Sequence, residues 1–121
     1  MAAPNLANVG TITAKSLQAA LDTTLTTEIL LNSAASGKVF KVESIIVANI
    51  DGSNSADASV FITKSGGSPI AIASTIAVPA DSTLVVVDKN SAIYLEEGDN
   101  IEAGASANGD LVITINYEEL S

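Results

Sequence analysis

Reactive groups in this chain come down to carboxylates, hydroxyls and a few lysines, because its 121 residues include no His, Cys, Trp or Arg. Glu96, Glu97, Asp99 and Glu102 fall close together, a density suited to the paired acids of a glycoside hydrolase. Such a pair needs one acid in a cleft with a raised pKa, usually beside aromatic sugar platforms, and only Tyr94 is near in sequence. The cluster therefore reads as a charged loop that keeps the surface soluble. Asp51, Asn54, Ser55 and Asp57 gather four oxygen-bearing side chains beside Gly52, as a Ca²⁺ loop would. Their spacing departs from Asp-x-Asp-x-Asp-Gly and no Glu closes the loop, so a solvated hairpin turn is expected. No catalytic, cofactor-binding or metal-ligating residue is assigned, and the chain reads as a non-enzyme without a cofactor.

Composition narrows the classes further. With 5 Lys+Arg against 14 Asp+Glu the formal net charge is −9, which repels phosphate backbones and argues against direct nucleic-acid binding. No segment approaches the roughly 18 consecutive apolar residues of a membrane helix, and Met1 to Gly10 lacks the basic and apolar regions of a signal peptide. A soluble, unprocessed chain is expected, with no membrane partner. Aromatics make up 3% of residues against 47% hydrophobic overall, so the core must be aliphatic.

The elements that position these groups read almost entirely as strands. Period-two alternation at Ile70 to Val78 and Leu111 to Tyr117, and shorter runs at Val9 to Ala14, Thr26 to Asn32, Ala58 to Lys64, Ala92 to Leu95 and Asn100 to Ala105, are separated by Gly, Pro, Asn and Asp turns. Val39 to Asn49 is the longest run, alternating at Phe40 and Val42 before Ile45-Ile46-Val47 becomes apolar on both faces, as does Leu84-Val85-Val86-Val87. Leu17, Ala20 and Leu21 have helical spacing, but the segment is too short to hold a helix and is expected to be a connection with at most one helical turn. The expectation is an all-β antiparallel sandwich, jelly-roll or Ig-like, of about eight to ten strands, with an N-terminal arm over 1–8 and one domain over 9–121. Its core would contain Phe40, Val42, Ile46, Val60, Ile62, Ile72, Ile76, Leu84, Val86, Ile93, Leu95, Ile101, Ile113, Ile115 and Tyr117.

The order Gly37-Lys38-Val39-Phe40-Lys41-Val42, Ser44-Ile45-Ile46-Val47-Ala48-Asn49, Val78-Pro79-Ala80, Ile93-Tyr94-Leu95 with Gly98-Asp99-Asn100-Ile101, and Val112 to Glu119 resembles the small β-sandwich virion proteins of tailed bacteriophages, particularly marine, cyanophage-like ones. The resemblance covers roughly residues 8 to 119. It implies a structural protein of the virion, made in the host cytoplasm: a capsid decoration (cement) protein, or a neck, tail or fibre-base component. It also implies contact with the major capsid or other virion proteins and self-association, a homotrimer being favoured. A carbohydrate or host-surface binding module is the rival, although four aromatics leave few for sugar platforms.

The residues expected to contact a neighbour are Asn5 and Leu6 in the arm, Ile45, Val47, Val85 and Val87 in the doubly apolar runs, and Ala71 and Ala73 in a smooth small-residue stripe. The doubly apolar runs would lie under loops or meet another chain, the alanine stripe would seat a subunit or lie under a second sheet, and the arm would cross a neighbour or fray.

Overall fold

The structure, a computed structural model, describes residues 5–121, which form nine strands and two short 3-10 turns. In chain order the strands are β1 (Ile12–Ala20), β2 (Thr27–Leu31), β3 (Val39–Asn49), β4 (Ala56–Thr63), β5 (Ile70–Val78), β6 (Thr83–Val87), β7 (Ile93–Leu95), β8 (Asn100–Ala105) and β9 (Leu111–Leu120). Sheet A runs β1-β9-β3-β6, with β7 taking the other half of the β3 edge that β6 occupies, and sheet B runs β2-β8-β4-β5. All pairings are antiparallel, so the expected all-β sandwich is what the chain forms.

The core lies between the sheets and is aliphatic, with Val42, Ile45, Val47, Val60, Leu95, Ile101, Leu111, Ile113 and Ile115 fully buried. Phe40 stacks at a tilt on Tyr117, their ring centroids 5.1 Å apart, and closes one end. Loop 21–26 covers part of the outer face of sheet B and presses against Gly104, where a Cβ would stand 2.4 Å from Leu25 Cα and 2.5 Å from the Thr24 carbonyl. Only glycine allows that approach.

A β-bulge decides which residues of β3 face the core. Val42 pairs with Tyr117 and Ser44 with Asn116, so Glu43 is the extra residue. Passing it reverses the alternation: Phe40 and Val42 point inward, then Ile45, Val47 and Asn49. Ile46, expected in the core, instead lies on the outer face and is half-buried. The doubly apolar run is therefore one inward pair, Ile45 and Val47, flanking one outward residue. A second bulge, opposite Ile45 and Ile46, brings Val87 inward and leaves Val85 outward.

Three further expectations are corrected. Lys15 to Ala20, read as a connection, belongs to β1, because all nine residues of that strand pair in unbroken register with β9 and Leu17 and Ala19 pack on the core at period two. Ile72 and Ile76, expected inside, remain 40% and 41% exposed. Bulges on β5 opposite Ser59 and between Val60 and Phe61 break its alternation, and β5 is an edge strand that sheet A does not fully cover. The same bulges set Ala73 opposite Val60, half-buried against the core, whereas Ala71 stays exposed. Leu84, Val86, Ile62, Ile93 and Tyr117 are also only partly buried, at the margins of the cluster.

Ile45→Ala should lower unfolding stability by about 2 to 5 kcal/mol, since it empties a fully buried site, whereas Ile46→Ala should cost about 1 kcal/mol or less. Urea unfolding of the two variants checks the phase set by the bulge.

Candidate functional site

The four acids that suggested glycosidase chemistry are each committed to donors. Asp99 is 1% exposed, and its carboxylate accepts from the Ser65 backbone N–H at 3.0 Å, the Glu96 N–H at 2.9 Å and the Lys64 ammonium. Glu96 also meets Lys64, Glu97 accepts from the Gly37 N–H at 3.0 Å, and Glu102 accepts from the Thr63 hydroxyl at 2.6 Å. Burial, the largest single influence on Asp99, opposes its ionisation, but Lys64 and the two backbone donors outweigh it and hold the carboxyl below the usual range. A general acid needs the opposite shift. The cluster works as a clamp joining the β4–β5, β7–β8 and β2–β3 connections.

Two buried asparagines complete the fastening. Asn32 donates to the carbonyls of Lys38 and Leu95 at 2.9 and 3.0 Å and accepts from the Ser36 hydroxyl, tying the clamp end together. Asn49 does the same at the opposite end, donating to the carbonyls of Asn54 and Val78 and accepting from the Asp51 N–H. The candidate Ca²⁺ loop is a turn of this kind: Asp51 accepts from the N–H groups of Ser53 and Asn54, and those donors hold its carboxyl below the usual range.

Pairing registers place side chains of the outer face of sheet A in rows across the strands. One row is Ala20, Val112, Ala48 and Thr83; the next is Gln18, Thr114, Ile46 and Val85; the third is Ser16, Asn116 and Ser44. None of these residues carries a charge, in a chain of net charge −9. Two lateral hydrogen bonds, Gln18 Nε2 to Thr114 Oγ1 at 3.3 Å and Asn116 Nδ2 to Ser44 Oγ at 2.8 Å, tie polar members of neighbouring strands together. Charge resumes beyond the third row, at Glu118, Lys41 and Glu43, where a shallow cleft of about 340 Å³ opens beside the bulge.

Charge is divided unevenly along the sandwich. The turns and strand ends beyond Ala20, Asn49, Val78 and Ala105 carry Asp22, Asp51, Asp57, Asp81 and Asp110 and no lysine. Lys15, Lys38, Lys41 and Lys64 lie toward the clamp end, each within 4.0 Å of a carboxylate. Glu119, held by Lys38 and Lys15, has a lowered pKa, chiefly through its hydrogen bond with Lys38.

Of the expected contact residues, Val85 is 57% exposed and belongs to the uncharged face. Ala71 is exposed on β5, and Leu6 and Asn5 are exposed at the start of the described chain, where Asn5 caps the 3-10 turn Leu6–Asn8. The rest of the arm, residues 1–4, lies outside the described residues. Ile45 and Val47 are fully buried and Val87 nearly so, because the bulges turn them inward; their side chains are spent on the core and do not reach a neighbour. Gln18, Thr114, Asn116 and Ser44, which form the polar part of the uncharged face, were not among the expected contact residues, although the uncharged outward alternation of Val112, Thr114 and Asn116 is visible in the sequence.

No protein-family model matches the chain, and no curated protein is found similar to it.

Because folding depresses the Asp99 pKa, the stability it contributes is present above the ordinary Asp value of about 3.9 and is lost as pH falls through its folded value. Asp99→Asn should cost about 2 to 3 kcal/mol at neutral pH, by weakening charge-assisted bonds to a buried carboxylate. The same variant should lose less stability than the parent on acidification, measured as the urea midpoint between pH 7 and 3.

Proposed function

We propose that the protein is a non-enzymatic structural component of a phage virion, a capsid decoration (cement) protein that lays the outer face of sheet A against the shell. The single observation that carries this reading is the uncharged face itself. A solvated sheet face in so acidic a chain is the natural place for charge, as Glu28 opposite Glu102 on sheet B illustrates. Leaving Gln18, Thr114, Ile46, Val85 and their neighbours neutral, with Gln18 bonded to Thr114 and Asn116 to Ser44, gives a surface that a protein covers at little desolvation cost. The resemblance in strand order to phage β-sandwich proteins supplies the kind of partner.

Mechanically, such a protein acts by repetition. Each contact is modest, but many copies on a symmetric shell bind with raised effective concentration, and the aspartate-rich end keeps the coated particle soluble. A sugar-binding module draws less support from the geometry, because Tyr94 is the one aromatic among the exposed large side chains of the described residues.

The test is rebinding of purified protein to particles that lack it. Gln18→Glu and Val85→Glu, which each put a carboxylate on the neutral face, should weaken attachment about tenfold or more. Asp81→Asn, at the aspartate-rich end, should change it by less than about twofold. Equal loss from all three, or none from any, would reject the sheet A face as the contact.

A further inference from the structure

We infer that a second copy of this chain covers the open side of the sandwich at β5, so that two molecules pair about a two-fold axis passing near Ser74. The inference rests on this edge and not on the virion reading.

Ile70, Ile72 and Ile76 are 65%, 40% and 41% exposed along β5. β5 is an edge of sheet B, and the edge of sheet A on the β6 side is divided between β6 and β7, five and three residues long, which leaves these isoleucines uncovered. Leu84 and Val86 of β6 are likewise only partly buried. Together they leave apolar side chains exposed at this edge.

Charge and sequence symmetry identify the occupant. Ser65 to Ala80 is the longest stretch of the chain without a charged residue. Two copies that each carry a net charge of −9 repel one another over most orientations, and this edge lets them approach without opposing carboxylates. The exposed part of the strand also reads the same in both directions about Ser74: Ala71 answers Ala77 and Ile72 answers Ile76, all four exposed. An antiparallel two-fold contact sets residues equidistant from its axis against one another, and here those residues match. It sets Ile72 of one copy against Ile76 of the other.

The same strand is built to stop at two. Pro69 and Pro79 bracket it and offer no backbone N–H, and its bulges bend the edge away from a flat ladder. Thr75 sits at φ +52°, a rare setting for a β-branched residue, and its N–H is fixed by the Ser59 hydroxyl at 3.0 Å. A bent, bracketed edge packs side chains across a seam and does not extend into a fibre.

Sedimentation or light scattering of the purified chain should give twice its 12.2 kDa mass at high micromolar concentration. Ile72→Lys with Ile76→Lys, both at exposed positions, should weaken the pair about 100-fold or more while leaving the fold unchanged by circular dichroism. Since the chain has no cysteine, Ser74→Cys should oxidise to a disulfide-linked dimer, and Gln18→Cys on the sheet A face should not. A monomer, a three-chain mass, a dimer indifferent to the double lysine variant, or crosslinking at Gln18→Cys in place of Ser74→Cys would each overturn the inference.

Discussion

One extra residue, Glu43, sets the terms for the rest of the molecule. β3 is the strand that pairs with β9, β6 and β7, so its facing controls all of sheet A. Without a bulge, the phase that buries Phe40 and Val42 would send Ser44 and Ile46 into the core and turn Ile45 and Val47 toward solvent. With it, a hydroxyl moves outward, two aliphatic side chains move inward, and Asn49 arrives buried where it can bond the carbonyls of Asn54 and Val78. The uncharged outer face follows from the same shift, because Ser44 then aligns with Asn116 and Ile46 with Thr114.

The two ends are fastened in different ways, and the difference separates charge along the sandwich. At the clamp end a nearly buried carboxylate, Asp99, is satisfied by Lys64 and two backbone N–H groups, and Glu119 by Lys38 and Lys15. Burying a carboxylate is tolerable only with such partners, and that requirement draws lysines toward this end. At the other end the turns are capped by aspartates at their surface, which need backbone donors and water but no cation. The sheet A face between them is left neutral.

Much of the architecture was legible in the sequence. Alternation in Ile70 to Val78 and Leu111 to Tyr117, punctuated by Gly66-Gly67 and Pro79, was enough to read an antiparallel sandwich. Its facing was less legible, because a bulge has no signature in a string of apolar letters: Ile45-Ile46-Val47 looks the same with either residue set inward. The second half of β1, Lys15 to Ala20, was missed for a related reason, since Leu17, Ala20 and Leu21 fit a helical spacing and only the partner β9 selects the extended form. The acidic cluster reads in the sequence as a charged loop, whereas its role as a clamp depends on a long-range partner, Lys64, and on backbone donors that sequence spacing does not display.

The proposed role rests on the uncharged outer face of sheet A. The most direct test of the proposed role is a cryo-electron microscopy reconstruction of phage particles assembled in the presence of the protein, at a resolution that distinguishes the two sheets. The account predicts density in which the rows containing Gln18, Thr114, Ile46 and Val85 lie against a shell protein. A reconstruction with that face open to solvent and the acidic sheet B face against the shell, or particles on which the protein has no place, would contradict it.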